Sequence, residues 1–493
     1  MTLLDELAAW ASALRPHHIP RRVRDLAASQ ILSQLASIRA GAEHPLGRRM
    51  IAAFGPPLQS DPRSSACVLA GLGSWLNLDD TAYAGHLSNS TVAVPVAYAR
   101  ADRLDGAALI TAVVAANECA ARITAAATLG KLRGQAAVHT HLAGAVAGRL
   151  HCQGAPARQW ADALSLAYSM PNWPLAPALM GSDARLFNAF TPVRTAMDAC
   201  DAAAAGLGGA PDILEHPEGF LSRFSSVPLP QAVTAGLGHH WHTETLSFKM
   251  HPGGPGIDAA VDCAIELHQD LGQLQPHEIE EIVVDASLYT VRVGQRAARY
   301  VTGPGSPLGA LVLDTPYTVA TALLTGGLTV DDFAAPLVED PARWQVAART
   351  RLQHDPLFTK ALFASEAPFG EALRQAGPAA GPWLREFGGP EAEQLAATTD
   401  PTRPDFANSS KATPARVTVH LTDGRAITRE RIIPLGGAGP HTRAHHAELM
   451  QQKYTALGGD PKTAAAAGTL GDMLPGRLHE WLESALTEPN QHS

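Results

Sequence analysis

From its first residues to about residue 240, the chain is a succession of alanine-rich segments whose apolar residues recur at three and four, a repetition that predicts helix throughout half the molecule. Leu26, Ala27, Ile31, Leu32 and Leu35 form one such stripe. Gly106 to Ala127 and Leu142 to Leu150 are richer still in alanine, which favours helix and lets helix axes approach closely. Gly55-Pro56-Pro57 and Gly208-Gly209-Ala210-Pro211 punctuate the run.

The texture changes near Thr243. The β-branched runs Glu281–Ala286 and Tyr289–Val293 predict strands, and Ala415–Arg425 predicts a strand closed by an Asp423-Gly424 turn, with Ala426–Thr428 as its returning partner. Ile257–His268 and Tyr317–Leu324 have helical spacing, whereas residues 375–413, rich in Gly, Pro, Ala and Thr, predict a long loop. Helical texture returns after Leu435–Pro440. At 493 residues the chain is too long for one ordinary core. The expected architecture is mainly α with an α+β lid. Residues 1–243 form the first part of an all-helical domain, 244–434 the inserted α+β lid, and 435–493 are C-terminal helices rejoining the helical domain.

A net charge of −9 without a basic run argues against a nucleic-acid partner, while leaving room for a local basic pocket. The N-terminus, Met1-Thr2-Leu3-Leu4-Asp5-Glu6-Leu7, lacks the basic start and apolar core of a signal peptide, and no uninterrupted apolar run reaches about 20 residues. No membrane association and a cytoplasmic location are therefore expected. The scattered cysteines, Cys67, Cys119, Cys152, Cys200 and Cys263, have no CxxC spacing and read as reduced thiols.

Chemistry concentrates in Leu76–Ser90, where Asp79, Asp80, Thr81, Tyr83 and His86 sit just before the apolar run Thr91–Ala99. Polar groups against an apolar helix have tunable pKa values. His86 is the expected base or acid because imidazole titrates near neutrality. Asp80 is expected to orient it or hold a backbone turn, and Asp79, Asp80 and Thr81 equally suit a helix cap. Tyr83 reads as a substrate contact or a packing aromatic. His139 and His141, with His86 and the His239-His240-Trp241-His242 cluster, raise a metal reading, but HExxH spacing is missing, and no GxGxxG or P-loop signature is present.

In order, the landmarks Asp79-Asp80-Thr81 with His86-Leu87-Ser88, Asp105-Gly106 with Ala115-Ala116-Asn117-Glu118, Ala143–Leu150, Gly208–Phe220, Lys249-Met250-His251-Pro252, Thr315-Pro316-Tyr317 and Asp423-Gly424-Arg425 resemble the MmgE/PrpD family over about residues 5–456. The resemblance implies a helical domain from both chain ends, a middle lid, a cleft between them, a homodimer through the helical domain, and no metal or organic cofactor. It also implies a lyase or isomerase that moves an α-proton of a small carboxylate substrate. A 2-methylcitrate dehydratase-like reaction leads, with cis-aconitate decarboxylase-like or epimerase activity, or a non-catalytic binding relative, as alternatives. His86, Asp80, Lys249 and Tyr317 become the expected catalytic residues, with Tyr317 an oxyanion donor or a helix-capping phenol. Asn77, Thr81, Tyr83, His139, His141 and Arg185 become the expected substrate contacts. Departures from the family pattern are Asn77 for an aspartate, Leu87 for a proline, Gln135 near a lost imidazole, Arg185 for a lysine, and Gly253–Gly256 for a segment bearing Cys and His.

Overall fold

A computed structural model describes residues 1–82, 85–131, 135–171, 173–254, 256–399 and 405–487. Helices dominate it. The helix Gly106–Ala126 starts where the Asp105 carboxylate accepts the Ala108 N–H at 2.8 Å. Among the described residues it alone is long and apolar enough to cross a membrane, but 89% of its most apolar window is buried within the protein. It packs along the helix Gln135–Cys152, which in turn meets Phe187–Ala204.

Buried apolar side chains form two clusters. The first draws on Leu4 to Phe248, on residues 362–406 and on Leu449 to Ala485. The second gathers residues 257–347 and 415–421 around Trp75, Leu76, Leu78 and Met180. The C-terminal helix Pro440–Ala456 packs on Arg21–Glu43, where Lys453 Nζ donates to Ser33 Oγ at 2.9 Å. Inside the first cluster, Glu118 and Arg122 form a fully buried ion pair at 3.4 Å. Glu118 accepts the His242 and Thr243 N–H groups, and Arg122 donates to the Ala235 and His240 carbonyls. One charged pair thus fixes the loop that leads to the second cluster, and each charge is compensated by hydrogen bonds.

Two sheets organise the strands. In the smaller, antiparallel one, β1 (Asp80–Ala82) lies between β2 (Gly85–His86) and β3 (Ser247–Phe248). The larger has order β5-β4-β6-β7, built from β4 (Ile279–Ala286), β5 (Thr350–His354), β6 (Ala415–Leu421) and β7 (Ala426–Arg431). β4 runs parallel to β5 and antiparallel to β6. Ala415, Val417, Val419 and Leu421 alternate inward, as the period of a one-sided strand requires.

Two expectations from sequence fail here. Tyr289–Val293 is helical, inside Leu288–Ala297, because Ser287 caps that turn and the segment leaves the sheet at Ala286. Residues 375–413 hold the helix-rich stretch Gly381–Ala397, kinked at Gly389, because Trp383, Leu384 and Phe387 bury in the first cluster. The helix Pro356–Ala364 also sends Leu362 and Phe363 into that cluster, although both lie within the stretch expected as the lid.

Candidate active site

The small sheet brings distant residues together. Pairing of Asp80 with Phe248 sets the residues just outside it, Asp79 and Lys249, beside each other. Lys249 Nζ donates to Asp79 Oδ1 at 2.8 Å with both side chains buried. On the other side of β1, the Thr81–His86 pairing turns the imidazole back onto the same carboxylate. His86 Nδ1 lies 2.7 Å from Asp79 Oδ2, and Asn89 Nδ2 donates to that oxygen at 2.8 Å. Gly85 permits the arrangement, because a Cβ there would fall 2.6 Å from Thr140 Oγ1.

Burial alone would raise the Asp79 carboxyl pKa, but His86 and Lys249 outweigh it and hold the group well below the usual carboxylate range. An ionised carboxylate only accepts hydrogen bonds, so Nδ1 is the protonated nitrogen of His86. Nε2 has no protein partner among the described residues, and the ring lines a cavity of about 570 Å³. Burial lowers the His86 pKa; Asp79 opposes the shift, and the Lys249 and Arg185 charges add to it. A neutral imidazole with an available lone pair is the form of a general base.

Lys131, Arg185, Arg296 and Arg299 line the same cavity, and no Asp or Glu does so among the described residues. This is notable in a chain of net charge −9. Arg185 is buried; its Nε and Nη1 donate to the Trp75 and Gly309 carbonyls, both at 3.2 Å. Its guanidinium meets no carboxylate among the described residues, and Nη2 has no partner there. Burial lowers its pKa to about 10, partly offset by Asp79, so it stays cationic at neutral pH.

Other predicted residues distribute unevenly. His139 and His141 line the cavity. His139 packs edge-on against Phe220 and Phe224. His141 Nδ1 meets Ser90 Oγ at 3.0 Å, and burial first, then the His86 charge, lowers its pKa to about 3. Asn77 lines the cavity with a φ of 55°, a conformation asparagine adopts more readily than most side chains.

Asp80 is not the partner of His86. Adjacent residues of an extended chain face opposite ways, so Asp80 turns from the imidazole and accepts the Ser88 N–H at 3.2 Å. Thr81 does not line the cavity; its Oγ1 accepts from Lys411 Nζ at 2.6 Å. Tyr317 sits away from the cavity, in the second apolar cluster, its ring tilted against Trp344 and its hydroxyl donating to the Asp332 carbonyl. The phenols lining the cavity belong to Tyr289 and Tyr300, and the Tyr289 hydroxyl has no hydrogen-bond partner among the described residues. Tyr83 and the side chain of Gln135 lie outside the described residues. Among the described residues, no group of three or more His, Cys, Asp or Glu is placed to hold a metal. The cysteines are all buried and free.

Asp79 and Lys249 thus stand behind His86 at the wall of a cavity lined by four cationic side chains and, among the described residues, by no carboxylate. The chain belongs to the MmgE/PrpD family: the MmgE/PrpD N-terminal domain matches residues 5–231 and the MmgE/PrpD C-terminal domain residues 251–375. His86 and Arg185 come from the first match, Tyr289 and Arg296 from the second, and Lys249 from between them. No curated protein matches the sequence.

Proposed function

We propose that this protein is a lyase that removes the proton α to a carboxylate, with His86 Nε2 as the base. The observation that carries the reading is the pairing of that imidazole with cationic walls and, among the described residues, no lining carboxylate. An α-proton beside a carboxylate is weakly acidic, so its removal needs both a placed base and positive charge on the developing enediolate. Arg185 supplies the charge within the cavity, while Asp79 fixes the tautomer of His86 and steadies the imidazolium as it forms. Membership of a family that includes dehydratases makes loss of water the favoured outcome. His86 takes the α-proton, the C–H electron pair becomes the new C=C bond, and the β-hydroxyl leaves as water with a proton returned from the imidazolium.

Proton NMR of hydroxylated di- and tricarboxylic acids incubated with the protein tests this. Olefin formation that disappears in His86→Ala supports it. Carbon dioxide release or inversion at the α-carbon would redirect the outcome to decarboxylation or epimerisation, and no change in any acid would sink the proposal.

A further inference from the structure

Apolar atoms form the larger part of the cavity's wall. Phe220, Phe224, Leu179, Met180, Ile257 and Leu313 contribute to it. Leu313 comes this close because Gly254 carries no side chain: a Cβ there would fall 2.9 Å from Leu313 Cδ2. At about 570 Å³ the space lies within the range of roughly 300–1,000 Å³ that holds drug-sized ligands, well above the needs of a compact polycarboxylic acid. Such an acid would also set its charged oxygens against phenyl and alkyl groups that cannot replace their lost water. The cations, meanwhile, sit apart. Arg185 is buried, whereas Lys131, Arg296 and Arg299 are exposed, as is much of Leu175. This division suits a ligand with an acidic head and an apolar body.

Building on the anion-site reading above, we infer that the substrate is an amphiphilic carboxylate, with its acid head at Arg185 and His86 and a bulky alkyl or aryl body along the Phe220, Phe224 and Leu179 wall. The exposed cations steer the acid inward. Specificity comes from the body, because burying each methylene multiplies affinity about fourfold.

Calorimetric titration with succinate, butylsuccinate, octylsuccinate and benzylsuccinate tests the inference on the intact protein. Affinity is expected to climb at least tenfold from succinate to the octyl and benzyl members. Arg185→Gln is expected to weaken every member by a similar factor and leave the climb intact, since it touches the head alone. Leu179→Gln, checked for an unchanged thermal transition, is expected to flatten the climb. Succinate binding as tightly as its substituted forms would overturn the amphiphilic substrate while leaving an anion site standing. Failure of all four acids to bind would overturn the anion site itself.

Discussion

His86 and Lys249 stand 3.3 Å apart, Nδ1 to Nζ, on either side of one buried carboxylate. A cation and a base held this close share Asp79: the ammonium keeps the carboxylate ionised, and the carboxylate holds the imidazole in one tautomer. The small sheet that joins residues 80–86 to residues 247–248 builds the triplet.

Removing the carboxylate should therefore do two things at once. Asp79→Asn leaves the Lys249 charge buried without its counter-ion, at a cost of about 3–5 kcal/mol in stability. It also frees the imidazole to flip its tautomer. Urea unfolding should show the loss. His86→Gln should reduce turnover by about 10²–10⁴-fold, with a far smaller change in unfolding midpoint.

The acid limb of the pH–rate profile should lie below the ordinary histidine value of 6.5, because His86 is shifted down. Activity then rises with pH through that lowered pKa and is level at neutrality. A limb above 6.5 in kcat/KM would contradict the assignment.

His141 links pH to stability. Its folded pKa of about 3 lies below the unfolded value, so between these values the unfolded chain binds more protons. Its contribution is fully present above about pH 6.5 and is lost as pH falls toward about 3. In His141→Asn that part of the acid sensitivity should vanish from thermal unfolding curves.

Arg185→Lys keeps a positive charge but loses the planar fork anchored on the Trp75 and Gly309 carbonyls. The expected result is a KM raised by about tenfold or more for the acidic substrate, corresponding to roughly 1.4 kcal/mol of binding. An unchanged KM would place the acid head elsewhere.

Glu118→Ala tests the scaffold apart from the chemistry. It leaves Arg122 buried without its carboxylate and unties the Thr243 turn, so a loss of about 3–5 kcal/mol is expected in denaturant titration.

Much of this site could be read along the chain. His86, Arg185 and Lys249 carry chemistry that few solvent-exposed surfaces need in such settings, and the fold gathers all three at or directly behind one cavity wall. The neighbouring aspartates could not be told apart, because which of Asp79 and Asp80 faces the imidazole depends on strand register, and register is set by β3 far away. Tyr289 was hidden in a β-branched run that resembles a strand, since its helix is decided by a Ser287 cap and by packing against Phe369. Tyr317 misled for the opposite reason. Its Thr-Pro-Tyr setting marks a helix start, and the register of that helix turns the phenol toward Asp332.

Proton exchange in heavy water probes the base itself, whatever bond breaks afterwards. With a bound carboxylic acid, the wild-type protein should place deuterium at the α-carbon, and His86→Ala should not. Exchange that persists undiminished in His86→Ala would contradict the central role given to that imidazole.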